Sequence, residues 1–207
     1  MSLAQNIAES KELLQWIDAK LYGLEYEIDE RERSKVAMGC FHVALEHCRA
    51  ILLLVEHKLY TSANAFRRLI LEALIRGEWF FRCATDKDLK KFEESRDSRN
   101  KKDGLDLSLW KLVRAIEETL GDRDGIRSEI INDQLQMMHD FVHTGYHQLE
   151  KQFSGNDIES THTEDEVKEL LTFIYNFALI STGLMAEVAD NTKLRDETAT
   201  IIHGRNR

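Results

Sequence analysis

Not one of the 207 residues in this chain is proline, where an average chain of that length carries about ten. Proline removes a backbone donor and clashes with the preceding turn, so helices stop or kink at it. A chain without it can run long helices joined by glycine and polar turns. Apolar residues recur at three- and four-residue steps along most of the sequence, and no stretch alternates as a strand would. The expected fold is all-α: a single-domain bundle of about six to seven helices over residues 1–190, with residues 191–207 as a helical or frayed tail. The apolar share, 43%, suffices for one real core in a chain this long.

The periodicity sets seven segments. Residues 4–29 carry a narrow seam of Leu14, Ile17, Leu21, Leu24 and Ile28, as in a helical hairpin. Residues 34–59 bury Val36, Cys40, Ala44, Cys48, Ile51, Leu52 and Val55, with Gly39 marking a close helix crossing. A third helix, capped by Thr61 or Ser62 and ending near Cys83, is apolar on nearly every face; such a helix is central in its domain. Asp86 caps a short fourth helix to Phe92, followed by a charged, solvated stretch to Asp103. Residues 107–120 end at Gly121, and residues 126–143 turn inward at Ile130, Ile131, Leu135, Met138 and Val142, with Gly145 as a left-handed cap. After a polar loop, residues 154–162, Thr163 and Glu166 make a capping box for a last long helix ending near Ala189.

Charge and cysteine usage narrow the function classes. A formal net charge of −9 argues against a generic grip on nucleic acid, since phosphate attracts basic surface. A local basic patch remains at Arg96, Arg99, Lys101 and Lys102, opposed by acidic residues between Asp157 and Glu169. No uninterrupted apolar run nears the ~18 residues of a membrane span, and the N-terminus lacks a basic start followed by an apolar block. Cys40, Cys48 and Cys83 form no CxxC pair and sit in apolar helical patterns, as reduced core thiols do. The expectation is a cytoplasmic protein that does not engage a membrane.

Two constellations could carry chemistry. Arg68, Glu72 and Arg76 stand four residues apart on one helix face. Two cations against one carboxylate want a further anion, either a carboxylate such as Asp140 or Glu46 or a bound ligand. The second lies in MMHDFVHTGYHQL, residues 137–149. Here Asp140 could fix the tautomer of His143, a candidate general base, with His139, His147 and Gln148 beside it. His139 and His143 also have the one-turn spacing of a metal pair, with His47 as third ligand, although the aspartate of HDFVH is shorter than the glutamate of HExxH. No GxGxxG, GxxxxGK[ST] or GxSxG occurs, so no cofactor is implied.

The run Arg68, Glu72, Arg76, Gly77 and Trp79, followed later by Asp140, Phe141, His143, Thr144, Gly145 and Gln148, resembles a family of uncharacterised bacterial all-helical proteins. The resemblance covers roughly residues 36–149 and implies a polar site without naming its task. Proteins of this kind are similar to the HEPN superfamily of helical bundles, many of them dimeric ribonucleases or components of toxin and phage-defence systems. Their signature is an arginine, four to six residues, then a histidine, and none of the eight histidines here has an arginine at that distance. The bundle and a pocket at the end of the 126–143 helix are what the resemblance carries over.

Three readings follow. In the first, the 68/72/76 helix packs against the 126–143 helix, and Arg68, Glu72, Arg76, Asp140 and His143 bind a small anionic ligand or an RNA phosphate. In the second, the histidines serve a metal-dependent hydrolase much like a DinB-type bundle. In the third, the chain is a non-enzymatic interaction bundle, homodimeric through the first or the last long helix.

Overall fold

The computed structural model describes residues 1–22, 32–97, 108–122, 138 and 141–205. Among them are eight helices: α1 Leu3–Tyr22, α2 Glu32–Glu56, α3 Tyr60–Arg82, α4 Asp86–Asp97, α5 Leu109–Leu120, α6 Tyr146–Glu150, α7 Glu164–Val188 and α8 Thr192–Arg205. The fold is an all-α bundle. Most of the predicted helix 126–143, the end of the first predicted helix, and the basic run Arg99, Lys101 and Lys102 lie outside the described residues.

α2 and α7 are the spine. They pack on each other, α3 folds back along α2, α1 covers α7, α5 lies against α3, and α8 returns along α7. Their facing stripes hold Phe41, Ala44, Leu45, Cys48 and Ile51 from α2, and Leu170, Leu171, Ile174 and Ala178 from α7, all nearly or fully buried. Inside that seam the Ser181 hydroxyl donates to the Phe41 carbonyl at 2.8 Å, so a buried polar group is satisfied rather than orphaned. Both helices are long and apolar enough to cross a membrane by length and composition, yet 44% of that stretch of α2 and 50% of that of α7 are buried inside the bundle.

α3 is therefore not the most buried helix, as its composition predicts. It buries Ile70, Leu71, Ala73, Leu74, Ile75, Gly77 and Phe80, while Ala65, Arg68, Glu72, Arg76 and Trp79 keep partial exposure on one flank and Leu69 is exposed. The close crossing also falls elsewhere. Gly39 is exposed with open space around it, whereas a Cβ at Gly77 would stand 2.5 Å from Cε1 of the Phe41 ring and 3.0 Å from Cys40 Cβ. The bare backbone of Gly77 is what lets α3 lie against α2.

Helix ends depart from expectation for one recurring reason. At the end of α2, Leu59 N–H bonds the Leu54 carbonyl and Lys58 N–H the Val55 carbonyl, with Lys58 at φ 59°. α7 ends the same way on Asp190 (φ 52°), and α5 on Gly121 (φ 70°). This is the Schellman arrangement, and only one of the three uses glycine. At Thr144–Gly145 the roles are the reverse of those predicted: Thr144 is left-handed (φ 56°), and Gly145 is extended before α6.

N-termini are closed by side chains the pattern did not all reveal. Thr85, not Asp86, caps α4: its N–H and hydroxyl bond the Asp88 carboxylate at 3.0 and 2.6 Å. Those bonds hold the Asp88 carboxyl below its ordinary range. Asn191 caps α8 through the Leu194 N–H at 2.9 Å, and Leu194 and Thr198 are buried against the bundle, so the tail is a packed helix. The Thr163–Glu166 box at the start of α7 is present in full. The predicted 154–162 loop contains a short antiparallel hairpin, β1 Phe153–Ser154 and β2 Asp157–Ile158, turned at Gly155 (φ 63°). Two-residue strands are too short to show an alternating pattern.

Candidate functional site

On the flank of α3, Glu72 stands between two guanidinium groups. Arg68 Nε lies 2.8 Å from Glu72 Oε1, and Arg76 Nη2 lies 3.3 Å from Glu72 Oε2. The four-residue spacing that suggested this ladder is the spacing that builds it. Its depth differs from expectation, because the set lies at the partly exposed rim of the bundle. Arg76 is the open end of the ladder. Its side chain is 40% exposed, its Nε is buried without a hydrogen-bond partner among the described residues, and its charge reaches Cys40 on α2.

The second constellation is partly in view. His139 and Asp140 lie outside the described residues, and with them the full metal trio His47, His139 and His143. Met138 and Phe141 are buried, whereas Val142, expected inward, is exposed, as is His143 on the turn that follows. His147 is exposed on α6, 3.9 Å from Glu150. Gln148 is half-buried, with Oε1 enclosed and unpartnered among the described residues. His47 packs edge-on against Phe66 at 5.3 Å, and that burial lowers its pKa despite Glu46. No group of three His, Cys, Asp or Glu among the described residues is arranged to hold a metal.

Of the three thiols expected in the core, Cys48 is buried, whereas Cys40 and Cys83 keep partial exposure. All three are unpaired, and burial pushes Cys40 up to about 11 and Cys48 up to about 12, which keeps them protonated.

A polar cluster that the pattern did not single out gathers where α3, α6 and α7 begin or end. The His162 side chain, 2% exposed, sits between the Tyr60 and Phe141 rings at 5.8 and 6.4 Å. Its Nε2 is 3.3 Å from Thr61 Oγ1 and its Nδ1 is 3.8 Å from Glu166 Oε2. Gln152 Nε2 donates to the same Thr61 oxygen, and Lys151 Nζ pairs with Glu166 at 2.5 Å. Thr61, predicted as the cap of α3, is instead a hub; α3 begins after Leu59 with no side-chain cap. The only sequence signal was an isolated histidine just before a capping box, which is a weak one.

Burial depresses the His162 pKa, Lys151 acts in the same direction, and Glu166 opposes them. A histidine held below its ordinary 6.5 binds fewer protons folded than unfolded. Its contribution to stability is therefore full above that value and is lost as pH falls through the folded pKa. Stability should decline from pH 7 towards pH 5. In His162→Gln, equilibrium urea unfolding should show a shallower decline, leaving the share due to His47, which is shifted the same way. An unchanged slope would contradict this account.

One comparison with known proteins decides the family. The model for "Family of unknown function (DUF6988)" matches residues 41–204. The chain belongs to this family. That span takes in most of α2 and every later described helix, and with them both the Arg68–Glu72–Arg76 ladder and the His162 cluster. Neither a curated protein nor a solved structure matches the chain.

Proposed function

We propose that this family member binds a phosphate-bearing ligand, a nucleotide or an RNA phosphate, on the α3 ladder. The observation that carries the reading is the open end at Arg76. Two guanidinium groups share one carboxylate, and the outer one keeps a buried Nε–H without a protein acceptor among the described residues. A buried donor left unbonded costs about 1–3 kcal/mol, and a phosphate oxygen removes that cost while balancing the surplus charge. Guanidinium is the side chain best matched to phosphate, because its planar fork donates two parallel bonds. Glu72 holds both arginines in register. His143 is the candidate to move a proton at this site.

The HEPN-like layout and a role in toxin or phage-defence systems form the finer layer of this reading, with RNA as the ligand. Three unpaired cysteines support a cytoplasmic setting. In ¹⁵N-labelled protein, the Arg76 Nε–H resonance should shift on titration with inorganic pyrophosphate and with ATP, and the shift should weaken as salt is raised, because the site is half-exposed. A resonance that stays fixed at millimolar pyrophosphate would refute the proposal.

A second reading rests on a different observation. Tyr146, Leu149, Phe153 and Ile158 are all exposed, and Phe153 and Ile158 are paired across the hairpin. The α1 and α7 faces expected to dimerise are engaged within the chain. A homodimer through the 146–158 segment would cover these residues. Light scattering of the wild type and of Ile158→Glu tests it, with a dimer converted to a monomer as the expected result.

A further inference from the structure

We propose that Thr61 and His162 form a second site, an acyl-transfer centre in which the Thr61 hydroxyl is the nucleophile and the His162 imidazole the general base. It lies roughly 10 Å along α3 from Arg68, two turns away at 1.5 Å per residue, and is independent of phosphate binding there.

The geometry supplies each part. Thr61 Oγ1 and His162 Nε2 are 3.3 Å apart, near hydrogen-bond reach, as nucleophile–base pairs are before substrate tightens them. The carboxylate of Glu166 faces Nδ1. That favours the proton on Nδ1 and leaves the Nε2 lone pair for the threonine proton. Gln152 Nε2 donates to the same hydroxyl oxygen, fixing its orientation while one lone pair stays free. The base is sealed from water and Thr61 keeps partial exposure, so a substrate reaches the nucleophile first. Leu59 gives α3 no side-chain cap among the described residues, and the first-turn backbone N–H groups that a helix leaves without intrahelical partners stand at the end that carries Thr61, suited to a developing oxyanion.

The substrate class is a small, activated ester. Thr61 Oγ bonds to the acyl carbon, its proton passes to His162 Nε2, and the carbon–oxygen bond to the leaving group breaks as His162 returns that proton to the departing alkoxide. Water then attacks the acyl-threonine, giving one proton to His162, which passes it to Thr61 Oγ as the acid leaves. Glu166 is a positioning residue, because it acts through His162.

Among the described residues, the titratable groups facing His162 are Glu166 from α7, Lys151 after α6 and the Tyr60 phenol from α3. Burial is the first cause of its lowered pKa, so the base is neutral at pH 7.

The test uses the full chain and an alkyl fluorophosphonate, in which Thr61 Oγ displaces fluoride and the proton again goes to His162. Intact mass should show one adduct, and peptide mapping should place it on Thr61. Thr61→Ala and His162→Gln should slow labelling by about 10²- to 10⁴-fold, while Thr61→Ser retains it. The wild-type labelling rate should rise with pH through a midpoint below 6.5, and Glu166→Gln should move that midpoint down. Circular dichroism confirms that each variant is folded. Wild-type protein that takes no adduct, or an adduct unaffected by Thr61→Ala, overturns the proposal, and the cluster then only pins the hairpin segment to α3.

Discussion

Gly77→Val should lower stability by about 3 kcal/mol, the upper end of overpacking costs in a filled core. Even the first added carbon would meet the Phe41 ring at 2.5 and 2.8 Å and Cys40 Cβ at 3.0 Å, and Phe41 is fully buried, so the ring has nowhere to swing. The only relief is to part α3 from α2, which thins the contact that holds the helical hairpin together. Gly77→Ala should lose about 1 kcal/mol net, since the clash outweighs the ~1 kcal/mol of helix propensity that alanine brings. Gly39→Ala is the opposite case. It sits in α2 with open space around it, and should gain roughly 0.5–1 kcal/mol. Urea unfolding of the three variants measures all of this; equal effects at the two glycines would refute the assignment of the crossing.

Arg82→Met should cost about 2–3 kcal/mol, far more than any single change in the Arg68–Glu72–Arg76 ladder. Arg82 is the cation that joins α3 to α7. Its Nε donates to Glu78 at 3.0 Å, and its two terminal nitrogens donate to the Glu187 oxygens at 2.9 and 2.7 Å. Burial works against its charge, but the bonds to Glu187 and Glu78 prevail and raise its pKa. Removing the cation leaves two partly enclosed carboxylates without it. Breaking a fully buried pair costs about 3–5 kcal/mol, and the 33% exposure of Glu187 scales that down. The loss should shrink in acid, where the stranded carboxylates protonate. Arg68→Met, within one helix, leaves Glu72 still paired with Arg76 and should stay within about 1 kcal/mol. Thermal melts at pH 7 and pH 4 distinguish these cases, and a larger loss for Arg68→Met would invert the account.

The contrast between those arginines shows what the sequence could and could not convey. Among the described residues, periodicity and the missing proline place the long helices within a few residues, because both depend on local backbone chemistry. The capping box of α7 was legible for the same reason, as both of its partners lie within one turn. Helix ends on Lys58, Thr144 and Asp190 were not, since side chains there pay the left-handed conformation that glycine usually marks. The four-residue ladder was legible, but its depth was not. An arginine spacing says which residues share a face and nothing about which face the bundle buries. Hence Arg68 and Arg76 were expected in the middle, while the cross-helix tie falls to Arg82, whose partner Glu187 is 105 positions away. Thr61, Gln152 and His162 come together only once α3 and the hairpin segment are packed, so no local pattern could have joined them.

The most direct test of the central claim, that the α3 ladder is a phosphate site and not a structural brace, is calorimetric titration of wild type and Arg76→Met with ATP at low salt. The account predicts that wild type binds, that Arg76→Met binds at least about 10-fold more weakly, a loss of roughly 1.4 kcal/mol, and that the two proteins melt within about 2 °C of each other. Equal affinity in the two proteins, or no heat of binding to wild type, would contradict it.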